Sequence, residues 1–236
     1  MLMRSLETDT RQRGQRASGF SLIEMMIVVA LIIVLASITV VSLVPVLKQQ
    51  RVTNAYNTTL AAMRQARDNA VAQRTSYSVT FSNTVSPNTI TVAPTVLGFQ
   101  GDQNTMTYQL PTDVTFQTNS AISSTAAPDS GAGASFGAGA NAIDFGYTAT
   151  SNNGGQNIIY FCPDGSAQTA SCTETVSGTQ YSTVGGYSLN WDDGVVYLAR
   201  SGDLLSSRAI TLWGGTGRIH GWRLYPSGGN YQWIRQ

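Results

Sequence analysis

Few side chains in this sequence could support catalysis or bind a metal ion. The 236 residues include one histidine, His220, two cysteines, Cys162 and Cys172, and one lysine, Lys48. This set is too small for a Cys/His zinc cluster, and a Ser-His-Asp triad would use the single histidine and leave no second one. We therefore expect no enzyme activity, no bound metal ion and no cofactor.

One pair of adjacent carboxylates is present, Asp192 and Asp193, followed by Gly194. The pair lies between two short strand-like runs, where Asp-Gly is typical of a hairpin turn. Calcium binding is the alternative, but the pair lacks the ligand spacing of a calcium loop. We interpret these residues as a turn.

Charge is strongly segregated along the chain. Residues 48–74 carry five basic side chains against Asp68, and residues 75–199 carry eight acids and neither lysine nor arginine. The last 37 residues hold five arginines against Asp203. This excess of arginine predicts a basic surface at the carboxyl end.

An uncharged apolar run of twenty residues, Met25–Val44, lies near the amino terminus. A helix of that length covers about 30 Å, the thickness of a bilayer core. Residues 1–19 carry four arginines against two acids, and the small residues Ala17, Ser18 and Gly19 precede the run, whereas a secretory signal has them after it. We predict a membrane helix, with a buried core helix as the alternative, and the positive flank predicts a cytoplasmic amino terminus.

Glu24 directly precedes this run. An unpaired carboxylate near the centre of a bilayer costs about 2.5–3.5 kcal/mol, so such a residue either has a partner or reaches the interface. The six residues Gly19-Phe20-Ser21-Leu22-Ile23-Glu24 resemble the class III leader of type IV pilins and of the pseudopilins of type II secretion.

The resemblance implies that a prepilin peptidase cuts after Gly19, that Phe20 is N-methylated and that Glu24 serves filament assembly. The ammonium group freed at Phe20 could then pair with Glu24 of the same or a neighbouring subunit. It also implies that the other partners are pilin or pseudopilin subunits, the inner-membrane assembly platform and the membrane itself. Residues 1–19 are then the leader and residues 20–47 the transmembrane, filament-core helix.

A second helical pattern follows without interruption. Residues 48–75 place apolar side chains at helical spacing, so we expect one helix of about fifty residues with an amphipathic second half, bent near Pro45. The segment Leu60–Ala70, followed by Ser78-Val79-Thr80-Phe81, resembles the GspH/FimT-like pseudopilins, whose helix ends in Ala-Arg-x-x-Ala. Members of the wider family place their proline about four residues earlier than Pro45.

Residues 76–236 predict a β-rich domain, with a Gly/Ala/Ser-rich loop at about 118–156. The fold class is α+β, a long N-terminal helix packed on an antiparallel sheet. The strand-like runs are 77–81, 89–93, 106–110, 114–117, 142–145, 157–161, 187–190, 195–199, 210–213, 219–225 and 231–234.

Cys162 and Cys172 lie ten residues apart on the side of the membrane that we expect to be translocated. An oxidising compartment favours a loop-closing disulfide, and two free thiols are the alternative. The spacing is not the CxxC of a redox-active pair.

Gly217-Arg218-Ile219-His220-Gly221-Trp222-Arg223 resembles the Gly-Arg-x-Arg tail of FimT-type minor pilins that bind DNA, with His220 in place of the second arginine. Arg218, His220, Arg223 and Arg235 are therefore candidate DNA-binding residues. The aromatic residues among them fit a strand core equally well. We expect a structural, minor subunit of a type IV pilus or type II pseudopilus, held in the bacterial inner membrane and then in a periplasmic or extracellular filament, with DNA uptake as the alternative function.

Overall fold

The computed structural model describes residues 19–95, 105–118, 128–129, 141–147, 155–169, 172 and 193–236, with the backbone alone at residues 38–42. The chain forms two compact units, Met1–Val46 and Leu47–Gln236. The predicted leader lies outside the described residues except for Gly19.

Helix α1 extends from Leu22 to Gln73, with Pro45 inside it, so the long helix expected from the sequence is confirmed. In the first unit, every described side chain from residue 19 onward is exposed, including those of Phe20, Leu22 and Leu35. No helix in the described part of the chain combines the length and the apolarity that a membrane crossing requires. The predicted membrane span is therefore not confirmed.

In the second unit, α1 buries one face at spacings of three and four residues. Val52, Tyr56, Met63, Ala66 and Ala70 are buried as their spacing predicts. Alanine, glutamine and arginine are frequent here, and all favour helix. Every described buried side chain lies between Val52 and Trp233, so the second unit contains the described core, and a fragment of residues 47–236 keeps all of it.

The strands of the second unit form two antiparallel sheets within the described residues. Their orders are β3-β2-β1-β6-β7 and β11-β10-β9-β8-β4, with β5 also paired to β8. The bounds are β1 Tyr77–Ser82, β2 Thr89–Pro94, β3 Met106–Gln109, β4 Val114–Phe116, β5 Ile143–Tyr147, β6 Ile158–Phe161, β7 Ala167–Gln168, β8 Asp193–Arg200, β9 Asp203–Trp213, β10 Arg218–Ser227 and β11 Asn230–Arg235.

Two apolar clusters lie on the two faces of the second sheet. On one face, Ile210 and Leu212 of β9 pack in the same cluster as α1 and the first sheet. On the other face, Ala209 and Leu224 pack with Trp233 in a smaller cluster. Alternate residues of β9 and β10 therefore face α1, and the residues between them face away from it.

The predicted turn at Asp192-Asp193-Gly194 is wrong for the two residues that the structure describes, since Asp193 and Gly194 begin β8. Gly194 lies opposite both Phe145 and Leu212, and the Asp193 carboxylate accepts a hydrogen bond from the Gly214 amide at 2.7 Å. Asp-Gly forms a hairpin turn only where the flanking runs pair with each other, and here β8 pairs with β5 and β9. Asp192 and the run 187–190 lie outside the described residues.

Candidate functional site

The residues of the N-terminal motif are exposed and have few contacts. A Cβ placed on Gly19 would meet no atom within 4 Å, so the fold of a single chain does not require glycine there. Glu24 lies in the first turn of α1, where the helix dipole favours an acid. Among the described residues, Glu24 makes no ion pair within its own chain.

An open pocket of about 350 Å³ lies between α1 and the first residues of β10, in the second unit. It brings together the two basic segments that are far apart in the sequence. Its lining residues are Arg64, Arg67, Asp68, Gly217, Arg218, Ile219, His220 and Arg235. We call it the basic pocket.

The arginines of the basic pocket differ in what they bind. Arg67 has a structural role, because its Nε donates to the Gly165 carbonyl and an Nη to the Thr216 carbonyl, both at 3.2 Å. Arg64, Arg218 and Arg235 are exposed, and none of them has an ion pair in the described part of the chain. Three exposed arginines therefore line the pocket without an ion pair among the described residues.

Most acids of residues 75–199 do not neutralise this pocket. Four of the five that the structure describes have partners away from it: Asp113 with Arg51 and Arg200, Asp144 with Asn141, Asp164 with Ser166, and Asp193 with Gly214. The fifth, Asp129, is bonded to the lining residue His220 and not to an arginine of the pocket. The other three acids lie outside the described residues. The pocket therefore remains basic, although the total charge of the chain is close to zero.

His220 is a buried structural residue in this fold. Its Nδ1 lies 2.8 Å from Oδ2 of Asp129, and its Nε2 is buried as well, so the ring exposes no nitrogen to a ligand. The same Asp129 oxygen accepts hydrogen bonds from Trp213 Nε1 at 2.7 Å and from Thr211 Oγ1 at 3.1 Å. Although burial acts to raise the pKa of Asp129, the bonds from Trp213, His220 and Thr211 and the charge of His220 outweigh it and lower that pKa.

Arg223 lies on the other face of β10 from Arg218. The pairing of β10 with β9 runs without a register shift from Arg218 to Arg223, so there is no bulge at Gly221 to turn Arg223 toward Arg218. Gly221 has a different role: a Cβ there would overlap the phenol of Tyr56, and glycine lets α1 pack closely on the sheet. The sequence-predicted set is therefore divided: Arg218, His220 and Arg235 line the basic pocket, of which only the two arginines are exposed, and Arg223 does not line it.

The disulfide expected from the sequence is present. Cys162 and Cys172 are bonded, with their Cα atoms 5.6 Å apart, and Cys162 is buried. The bond closes the segment that contains Gly165, whose carbonyl accepts the hydrogen bond from Arg67. The described residues contain no free cysteine.

Sequence reasoning missed two parts of this site. Arg64 and Arg67 join the tail arginines in the pocket, and the excess of basic residues in segment 48–74 was the available signal. Asp129 is the partner of His220, and nothing in the sequence connects two residues 91 positions apart.

A family model matches the amino-terminal part of the chain. Residues 14–40 match the family described as "Prokaryotic N-terminal methylation motif", and this segment contains Gly19, Phe20 and Glu24. No curated protein and no solved structure matches the chain. The match supports a type IV pilin-like protein with a prepilin-type amino terminus, and it does not extend to the region that resembles the GspH/FimT-like subset.

Proposed function

We propose that this chain is a structural, minor subunit of a type IV pilus or type II secretion pseudopilus. The match of residues 14–40 to the methylation motif is the observation that carries the proposal. In this proposal a prepilin peptidase cuts after Gly19 and methylates Phe20. The similarity of Leu60–Ala70 and the first strand to GspH/FimT-like pseudopilins favours the minor role.

The geometry of the amino terminus supports this function. Gly19 and Phe20 precede the first helical residue and are exposed, so a protease can reach the bond between them. The exposed apolar side chains of residues 20–37 need partners in an assembled state, because a large exposed apolar surface marks a contact with protein or lipid. We propose that they lie in the inner membrane before assembly and then pack against other subunits, with the assembly platform transferring them.

Glu24 is central to the proposed packing. It has no ion pair among the described residues of its own chain, and the new amino terminus at Phe20 of a neighbouring subunit supplies a cation after cleavage. Each subunit then binds the next in a head-to-tail contact, which produces an open filament and not a closed ring.

The test is to express the full chain with a prepilin peptidase and to measure its mass. We expect loss of residues 1–19 and one added methyl group on Phe20, while Gly19→Val stays uncleaved and the control Ser21→Ala is cleaved normally. An uncleaved wild-type chain would contradict the proposal. Glu24→Gln should be cleaved but excluded from filaments, and its normal incorporation would disprove the charge-pairing step alone.

DNA binding is the second candidate function, and the basic pocket favours it. Arg64, Arg218 and Arg235 line one open pocket and have no ion pair among the described residues, and arginine binds phosphate oxygens with two parallel hydrogen bonds. His220 and Arg223 are not part of this group, because one is bonded to Asp129 and the other lies on the opposite face.

A titration of the fragment of residues 47–236 with single- and double-stranded DNA at two salt concentrations tests this candidate. Phosphate contacts predict binding that weakens steeply with salt. Removing three phosphate contacts should reduce the slope of log K against log salt by about 2–3, so Arg64→Gln, Arg218→Gln and Arg235→Gln together should bind weakly. Arg74→Gln, at an exposed arginine outside the pocket, is the matched control, and equal loss in that variant would rule out the basic pocket as the DNA site.

A further inference from the structure

Arg208 and Arg223 form a pair of like charges on the sheet face that packs against α1. They lie directly opposite each other on β9 and β10. Residues in this position have Cβ atoms about 4.5–5.5 Å apart, and like charges there are destabilising. Neither arginine has an ion pair with a carboxylate in the described part of the chain.

Arg208 is almost completely buried, with 4% of its surface exposed. One of its Nη atoms donates to the backbone carbonyls of Leu205, Ser206 and Ser207, at 3.1–3.4 Å. These bonds satisfy one nitrogen but supply no negative charge. The acid nearest in sequence, Asp203, is bonded to Arg200 at 3.1 Å.

Arg223 has an unmet hydrogen-bond donor. Its Nε is buried and has no partner among the described residues, while the side chain as a whole is partly exposed. The guanidinium lies over the ring of Tyr225, 4.9 Å from the ring centre. Solvent therefore reaches one side of the pair, and the aromatic ring holds Arg223 in position.

The Arg208 guanidinium stays charged at neutral pH. Burial, and next the charge of Arg223, lower the pKa of Arg208 to about 10. Burying a charge without a counter-ion is costly, and a second cation directly opposite adds to the cost. An anion bound between the two groups removes both contributions and accepts the unmet hydrogen bond.

We propose that Arg208 and Arg223 bind a tetrahedral oxyanion, a phosphate ion or the phosphate group of a monoester. Two guanidinium groups on neighbouring strands point their paired N–H donors at an acceptor from different directions. A phosphate has oxygens in several directions and can accept from both groups, whereas the two oxygens of a carboxylate match one guanidinium group. The site lies on the sheet face opposite to the side chain of Arg218. It does not depend on the filament or DNA functions proposed above.

The experiment is thermal unfolding of the fragment of residues 47–236 at pH 7, with phosphate replacing chloride at constant ionic strength. Binding should raise the Tm of the wild-type fragment in a saturable way, by about 3–6 °C at ten times Kd. Phosphate also stabilises proteins without binding them, so the comparison with a variant decides the result.

Arg223→Gln removes one cation and leaves the buried Arg208 in place. In chloride, this variant should unfold at the wild-type Tm or above it, because the repulsion is gone, and in phosphate it should lose the additional stabilisation. Arg74→Gln, at an exposed arginine outside both sites, is the matched control and should respond as the wild type does. An equal response of Arg223→Gln and wild type to phosphate would overturn the proposal, as would a wild-type response that does not saturate.

Two further arms identify the source of the anion. If glycerol phosphate stabilises the fragment as inorganic phosphate does, the site accepts the phosphate group of an ester. If inorganic phosphate alone does so, the site binds the free ion. Isothermal titration calorimetry with inorganic phosphate should show a site in the wild type that Arg223→Gln lacks, and heat of the same size in Arg223→Gln would disprove it.

Discussion

His220 Nδ1 lies 2.8 Å from Asp129 Oδ2, across a sequence separation of 91 residues. The same Asp129 oxygen accepts bonds from Thr211 and Trp213 on the neighbouring strand. Trp222 extends the network by donating from Nε1 to Thr211 Oγ1 at 3.0 Å. Through its carboxylate, Asp129 is therefore held against the face of β9 and β10 that points away from α1.

Replacing Asp129 with asparagine should destabilise the second unit. The amide keeps one acceptor oxygen but loses the charge that strengthens three hydrogen bonds, so we expect a loss of about 1–3 kcal/mol in the free energy of unfolding. Urea unfolding of the fragment of residues 47–236 at pH 7 measures it. Asp68→Asn is the control, because Asp68 is exposed, and equal losses in both variants would show that the network adds nothing.

The Asp129 carboxylate should also make stability depend on pH. Its pKa in the folded protein is lowered from 3.8, so the stabilisation is fully present above pH 3.8 and is lost as pH falls through the folded pKa. As pH falls below 3.8 toward the folded pKa, the wild-type fragment should lose more stability than Asp129→Asn. Parallel curves for the two proteins would contradict the assignment.

The local features of this fold could be predicted from the sequence, whereas the contacts between distant segments could not. The spacing of Val52, Tyr56 and Met63 indicates the helix face, and the cysteine spacing indicates the disulfide. The contact of His220 with Asp129 depends on tertiary packing that brings residue 129 onto β10, and no periodic pattern in the sequence indicates this contact.

The errors in the sequence interpretation have the same origin. Asp193-Gly194 has the composition of a turn, but pairing with β5 and β9 overrides that local preference. Arg218 and Arg223 are close in sequence, yet strand alternation places them on opposite faces. Arg64 is distant in sequence and still shares the basic pocket with Arg218, because α1 packs beside the start of β10.

Adding a methyl group at Gly221 should separate α1 from the sheet. A Cβ there would overlap the Tyr56 phenol, so Gly221→Ala should lower the free energy of unfolding by about 1–3 kcal/mol, as overpacking does. Tyr56→Phe removes the oxygen that makes the closest overlap, so the double variant should be less destabilised than the two single variants together. A double-mutant cycle by urea unfolding measures this coupling, and strictly additive losses would show that the two residues do not touch.

Removing the disulfide should lower the free energy of unfolding of the second unit, because the unfolded chain is then less constrained. Cys162 and Cys172 are ten positions apart, and a loop shorter than fifteen residues corresponds to somewhat under about 3 kcal/mol in the chain-entropy account. Cys162→Ala with Cys172→Ala should therefore unfold at lower urea concentration than the oxidised wild-type fragment. Dithiothreitol should bring the wild type close to the double variant and leave the double variant unchanged. If the reduced and oxidised wild-type fragments unfold at the same urea concentration, the bond does not contribute to stability.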